Sequence, residues 1–363
     1  MPVSRDAVMA ALATVQDPEI FKDIVSLDMV RDVNICGASV KVRVELTTPA
    51  CPLKDRIREE VTTAVRRVPG VEAVEVELTA KVRSGAGPKQ LLPQVRNIIA
   101  VGAGKGGVGK STIALNLAVG LALQGASVGL LDGDVYGPSI PTMTGIGQRN
   151  PQLNGERIIP FSIGSAEAVI KVMSIGFIVP PEKALIWRGP MVHGVIRQFI
   201  EQVEWGELDY LIVDLPPGTG DVSLTLAQTI ALTGAVIVAT PQELALADAR
   251  RAVRMFQQLG VSILGVVENM SYFICEHGTT YDLFGRGGAA AMAQNMGLPF
   301  LAEIPIDARM RQFADSGEPF ANFAVDAPSR QVLLTLAQKL AGQVSVRNLT
   351  KPAGKEVKLE ISG

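Results

Sequence analysis

The segment "GKGGVGKST", residues 104–112, has the composition and spacing to hold a polyphosphate. It fits G-x-x-x-x-G-K-[ST] through Gly104, Gly109, Lys110 and Ser111, with Lys105, Gly106, Gly107, Val108 and Thr112 completing the loop. Glycines let successive backbone N–H groups turn inward on phosphate oxygens, and a helix starting at the loop adds its positive end. Lys110 is expected to reach the outer phosphates and the Ser111 hydroxyl to ligate Mg²⁺. A glycine-rich turn that only packs tightly is the plainer alternative. Against it, the loop follows an apolar strand-like run and opens a helix-like one. Lys105 stands five residues before Lys110, and by position alone it reads as a solvated loop lysine.

Acidic residues end two further apolar runs. "LLDGDVYGPS" carries Asp132 and Asp134, and "YLIVDLPPGTGD" carries Asp214 and Asp221. An aspartate at the tip of a buried strand faces the ligand crevice, where Mg²⁺ and its waters need carboxylates. Asp214 is therefore expected in the Mg²⁺ shell. The alternative for each acid is a helix cap or a turn former, which suits Asp221 at least as well. Asn269, at the end of "VVENM", is either a ligand contact or a strand-terminating turn residue.

Two cysteines could do chemistry. Cys275 and His277 lie one residue apart in "ICEHG", too few ligands for a metal set by themselves. Cys51, in "LTTPACPLKD", precedes a proline and a helix-like run whose N-terminus would favour a thiolate, although an inert buried cysteine is the commoner case. Cys36, in the turn-like "NICGAS", and His193 read as structural.

The elements that must position these residues fall into two regions. Residues 1–82 read as a small α+β domain: helix-like over 7–15 and 54–67, with alternating strands over 39–46 and 71–78. Residues 83–94, rich in Gly, Pro and Ser, read as a linker. Residues 95–342 then alternate short apolar runs with helical stretches. The runs are "NIIAVGAG", "SVGLLDGD", "DYLIVDLP", "GAVIVATP", "ILGVVENM" and "PFLAEIP". The helices are expected over 110–124, 191–203, 222–232, 245–259 and 289–296. Continuous apolar strands are buried on both faces, which implies an α/β fold with a mostly parallel sheet flanked by helices. Residues 343–363 are polar and read as a tail or a small hairpin.

The totals agree with a soluble protein. Hydrophobic residues make up 47% and charged ones 19% of 363 residues, and a net charge of −2 gives no reason to expect a nucleic-acid surface. Neither a signal peptide nor an apolar run of the ~18 residues needed for a membrane span is seen. Three cysteines build no disulfide framework, so a cytoplasmic setting is expected.

The "KGGVGK" form with two lysines resembles the deviant phosphate loop of the MinD/ParA/Get-type ATPases. That resemblance implies an ATP-sandwiched homodimer in which Lys105 crosses to the partner's nucleotide and neutralises charge developing during γ-phosphate transfer. It also implies that Asp134 orients the attacking water and that Asn269 contacts adenine. "VGAGKGGVGKST", "DGDVYGPSIP", "WRGPMVHG" with Trp187, "WGELDYLIVDLPPGTGD" and "ENMSYF" together are similar to the Mrp/ApbC family of iron–sulfur cluster carrier ATPases. "LTTPACPLKD" resembles a segment of the iron–sulfur assembly-associated domain that often precedes this ATPase, which implies cluster handling or partner contact for Cys51. The expected function is slow ATP hydrolysis coupled to carrying a cluster from a scaffold to apo-proteins. A metal-free ATP-driven dimer switch acting on a protein partner is the rival.

Mrp-type carriers place Cys-Pro-x-Cys-Gly after "NMSYF", which implies four cysteines of a dimer around a bridging [4Fe–4S] cluster. This chain has Cys275, Glu276, His277 and Gly278 there, without the second cysteine. Either His277 replaces it, so that the dimer offers two cysteines and two histidines to a cluster or Zn²⁺, or the loop has lost its metal and is a contact surface.

Overall fold

Alternation and apolar runs become two separate cores. The computed structural model describes residues 3–18, 20–84, 91–135, 137–177, 200–220, 224, 226–227 and 229–350. They divide between Arg83 and Ser84 into two units.

The first unit comprises α1 (Arg5–Leu12), β1 (Val30–Cys36), β2 (Ser39–Leu46), α2 (Lys54–Arg66) and β3 (Ala73–Ala80). Its sheet has the order β1-β2-β3, with β1 antiparallel and β3 parallel to β2. A parallel return needs a crossover, and α2 supplies it. Period-two alternation buries Val40, Val42, Val44 and Leu46 of β2. On the other face Lys41 and Arg43 pair with Glu75 and Glu77 of β3, at 2.8 and 3.3 Å. The polar edge strand β1 was not anticipated, because Arg31, Asp32 and Asn34 break its apolar pattern. Cys36 ends it, exposed, ahead of a turn at Gly37 (φ 61°).

The second unit runs β4 (Val95–Gly102), α3 (Lys110–Leu123), β5 (Val128–Asp132), α4 (Ile140–Met143), a small ribbon of β6 (Leu153–Asn154) and β7 (Arg157–Ile158), β8 (Phe161–Gly164) and β9 (Val169–Ser174). It continues through β10 (Leu208–Asp214), β11 (Gly234–Ala239), α5 (Glu243–Gln258), β12 (Ile263–Glu268), a second ribbon of β13 (Phe273–Ile274) and β14 (Thr280–Tyr281), α6 (Gly288–Asn295), β15 (Phe300–Glu303), α7 (Ala308–Ser316) and α8 (Arg330–Thr350). The six expected apolar runs are β4, β5, β10, β11, β12 and β15. All lie in one sheet of order β15-β12-β11-β4-β10-β5-β9-β8, parallel except for the β8–β9 pair. The strands β8 and β9 extend it beyond the expectation. The expected helix over 191–203 falls largely outside the described residues and that over 222–232 partly so, with 224, 226, 227 and 229 helical; Trp187, His193 and Asp221 also lie outside them.

Helix α3 is apolar all round and is buried from Ile113 to Ala122, as a helix between a sheet and another helix must be. Its other neighbour is α8: a Cβ built on Gly120 would lie 3.0 Å from the Cβ of Ala337. The expected tail therefore needs correction at its start. Residues 343–350 continue α8, because Val344 extends the buried stripe of Leu333, Leu336, Ala337, Leu340 and Ala341 at helical spacing. The polar residues that suggested a tail alternate with that stripe. Residues 351–363 lie outside the described set. If α8 is integral to the core, Leu336→Ala should lower unfolding free energy by about 2–5 kcal/mol in a urea titration; an unchanged midpoint would remove α8 from the core.

Candidate functional site

The sheet order brings three strand ends together. Asp214, last in β10, sits opposite Val101 of β4 on one side and Asp132 of β5 on the other. The phosphate loop leaves β4 beside them and ends at Lys110, the first residue of α3. Lys110 is buried, and its Nζ donates to Asp214 Oδ1 at 2.5 Å and to Ser111 Oγ at 3.3 Å. Asp134 Oδ2 lies 4.0 Å from the same nitrogen. Burial pushes the Asp214 pKa up, and the Lys110 ammonium pulls against it.

Among the described residues, Asp214 Oδ2 is buried without a hydrogen-bond partner. An orphaned carboxylate oxygen is costly unless a cation or donor meets it. With the Ser111 hydroxyl next to it, the donor set is all oxygen, which fits Mg²⁺. Lys105, Lys110, Ser111, Asp134 and Pro217 line a cleft of about 280 Å³ here.

Two glycines in the loop have no substitute. A Cβ on Gly104 would lie 2.1 Å from the Asp248 backbone of α5, so only glycine lets the loop rest on that helix. Gly109 is left-handed (φ 80°), and its Cβ would lie 2.2 Å from the Asn269 side-chain nitrogen. That nitrogen donates to the Val108 carbonyl at 2.9 Å. Asn269 therefore does more than the turn reading allows: it braces the phosphate loop from β12.

Asp132 and Asp134 divide the roles read for them. Asp132 Oδ1 accepts from the Asp134 N–H at 3.1 Å, while Oδ2 accepts from the Ser174 hydroxyl at 2.9 Å and the Ile140 N–H at 3.3 Å. It is the turn-holding acid, gripping both ends of the loop to α4. Asp134 faces Lys110 and also accepts from the Gly137 N–H at 3.2 Å. Ser174 was missed because β9 was missed; no local signal marks a serine as a partner for a strand 42 residues away.

Glu268 was also missed. It is fully buried at the end of β12 and accepts from Ser271 Oγ at 2.6 Å, Gly287 N–H at 2.8 Å and Ala289 N–H at 2.7 Å. A carboxylate directly before "NMS" was the available signal, since such acids are rarely buried without a task.

The Cys275 segment is a tight ribbon between β13 and β14. Cys275 N–H donates to Thr279 C=O at 3.0 Å, and Gly278 N–H (φ 78°) donates to Cys275 C=O at 2.9 Å. Backbone N–H groups of His277, chiefly, and Thr279 reach the sulfur and hold the Cys275 thiol below its ordinary pKa. The thiol is half-exposed, whereas the His277 side chain is 83% exposed, 3.6 Å from Glu276. Ile274, Tyr281, Leu283 and Phe284 are exposed on the same excursion. Among the described residues of one chain, no group of three or more His, Cys, Asp or Glu could hold a metal ion. Cys275 and His277 thus offer at most two ligands per copy. Cys51 is buried in the core of the first unit, three residues before α2.

The buried acids predict a pH dependence. Burial, and then the charge of Asp214, raise the Asp132 pKa from 3.8 to about 7. Between these values the folded chain keeps a proton that the unfolded chain has lost, so this group's contribution to stability falls as pH rises from about 4 to about 7. Urea titrations of nucleotide-free protein should show that decline, and Asp132→Asn should flatten it; identical pH profiles for both proteins would refute the assignment.

Comparison with known proteins agrees with this geometry. Residues 94–341 match the ParA family model, described as NUBPL iron-transfer P-loop NTPase, and residues 5–78 match an iron–sulfur cluster assembly protein model. The chain is 49% identical over 358 residues to the iron–sulfur cluster carrier protein of Synechocystis sp., covering 96% of this chain and 99% of that one. It is 50% identical over 349 residues to the carrier protein of Deinococcus radiodurans, covering 96% and 97%. A solved nucleotide-binding protein from Archaeoglobus fulgidus, in complex with ADP, superposes with a TM-score of 0.56 at 44% identity, covering 63% of this chain and 89% of that one. A buried lysine–aspartate pair under a glycine loop, set in a sheet of this order and matched across both units, identifies the chain as a member of the Mrp/ApbC-type iron–sulfur cluster carrier ATPases of the MinD/ParA P-loop superfamily, with an N-terminal iron–sulfur assembly domain.

Proposed function

We propose that this P-loop ATPase works in the cytoplasm as a homodimer that carries an iron–sulfur cluster from a scaffold to apo-proteins, using slow ATP hydrolysis to time loading and release. The observation that carries the reading is the Cys275 ribbon: a half-exposed thiol, favoured as thiolate by backbone N–H groups, at an exposed loop of the nucleotide-binding unit. Thiolates are the ligands of such clusters.

At the nucleotide, loop amides bind the phosphates and Lys110 meets the outer ones, exchanging its hold on Asp214. Asp214 and Ser111 would hold Mg²⁺, which supplies charge neutralisation on the phosphates. Asp134, fixed through Asp132, orients the attacking water. Asn269 contacts adenine while one of its two amide N–H groups stays on the Val108 carbonyl. Lys105 of each copy crosses to the partner's nucleotide, so hydrolysis waits for the dimer.

The cargo lies between copies. Two Cys275 thiolates and two His277 imidazoles make a four-ligand set that neither copy has alone, and the exposure of His277 supports its turning toward a shared ion. The first unit contacts scaffold or client, with Cys51 packing its core. The second reading, a metal-free dimer switch on a protein partner, draws on the exposed Ile274, Tyr281, Leu283 and Phe284, which suit a protein contact. Neither reading calls for a nucleic-acid or membrane partner.

Two experiments test the proposal. Anaerobic reconstitution with iron and sulfide should load the wild-type dimer and leave Cys275→Ala largely empty, with His277→Ala intermediate. Equal uptake by wild type and Cys275→Ala, or none by either, would rule out a cluster at this loop, and none by either would favour the metal-free switch. Lys105→Ala should keep nucleotide affinity and lose about 10³-fold in ATP turnover, the low end for a charge supplied across an interface. Undiminished turnover would eliminate the cross-subunit lysine.

A further inference from the structure

The excursion that carries Cys275 leaves β12 after Glu268 and returns at α6, and both of its ends are held by one side chain. Glu268 takes the Ser271 hydroxyl at the outgoing end and the Gly287 and Ala289 N–H groups at the returning end. Around it, the Ser271 N–H donates to the Ile304 carbonyl at 2.9 Å, and the Ile306 N–H donates to the Tyr272 carbonyl at 2.7 Å. Arg286 lies over the Tyr272 ring at 4.4 Å. One buried carboxylate thus ties the two ends of the root together, with these backbone bonds and the Arg286–Tyr272 contact beside it.

The next residue along the chain is Asn269, whose amide holds the Val108 carbonyl of the phosphate loop. Asn269 has no slack: Gly109 passes so close to its nitrogen that a Cβ would not fit, and Met270 turns the chain in a left-handed conformation (φ 55°). Any shift of the phosphate loop at Val108 thus moves a residue bonded directly to the root of the cysteine excursion.

We propose that Glu268 is the positioning residue of the Cys275 ribbon and that, with Asn269, it forms the link through which the phosphate loop and Cys275 sense one another. The inference deepens the carrier reading, and rests on it, by naming how nucleotide state reaches the metal-binding thiol. Its converse follows by linkage: whatever binds Cys275 alters nucleotide affinity by the same factor.

The test reads the thiol itself, without iron, so its failure is distinct from a failure of cluster loading. In full-length protein carrying Cys36→Ser, the alkylation rate of Cys275 by iodoacetamide is measured with and without saturating Mg·ADP, at an oligomeric state checked by sedimentation. The parent should change rate by about fivefold or more on adding nucleotide, the low end of ordinary site-to-site coupling. Glu268→Gln should bind Mg·ADP within about twofold of the parent and alkylate at one rate in both conditions, because its amide cannot accept at all three donors. Ser271→Ala, which removes only one of the three bonds, should retain part of the response. The proposal is overturned if the parent shows no nucleotide effect, or if either variant keeps the full one. The parent and Ser271→Ala decide it should Glu268→Gln fail to fold.

Discussion

A lysine ammonium and an aspartate carboxylate, buried together where parallel strands end, constrain everything else in the nucleotide-binding unit. Neither Lys110 nor Asp214 could be taken out of water alone, since an unpaired buried charge costs several kcal/mol or more. The pair forms only because β10 lies between β4 and β5, which puts the start of α3, the end of β10 and the end of β5 side by side. Helix α3 is locked in turn by burial on all sides, so Lys110 cannot drift from the strand ends. Chemistry that needs a fixed cation over a phosphate is thereby built into the core and not left to a surface loop.

One device recurs on both sides of this centre. Asp132 and Glu268 each end a buried strand, and each gathers N–H donors from the segment that follows together with one hydroxyl, that of Ser174 in β9 for Asp132 and that of Ser271 for Glu268. Asp132 closes the segment that presents Asp134; Glu268 closes the one that presents Cys275. A fully satisfied buried carboxylate is a strong local organiser, because each lost bond would leave a polar group stranded in low dielectric. The loops that carry Asp134 and Cys275 thus start from roots in the core, with Asp134 itself buried and Cys275 half-exposed.

The Cys275 ribbon differs in kind from the phosphate site. Among the described residues nothing charged pairs with the thiol, and its acidity comes from hydrogen bonds within its own turn, chiefly from backbone amides. Among the described residues of one copy, such a site offers a thiolate and not a full set of metal ligands. Exposed aliphatic and aromatic neighbours give the same region the character of a contact surface.

Much of this was legible in the residue order. The glycine loop, the continuous apolar strands and the acids at their ends follow from local chemistry: phosphate needs amides, buried strands need β-branched side chains, and Mg²⁺ needs oxygen. These signals are contiguous, so a linear reading recovers β4, β5, β10, β11, β12 and β15 and picks out Lys110, Asp134 and Asp214, which the fold brings together. The strands β1, β8 and β9, the reach of α8 to Thr350, and the parts played by Ser174, Glu268 and Asn269 are of another sort. Their patterns are short or interrupted by polar residues, and their partners lie far away in sequence: Ser174 is 42 residues from Asp132, and Asn269 is 161 from Val108. Which buried carboxylate meets which donor is settled by strand order and packing, and those depend on distant segments meeting in three dimensions.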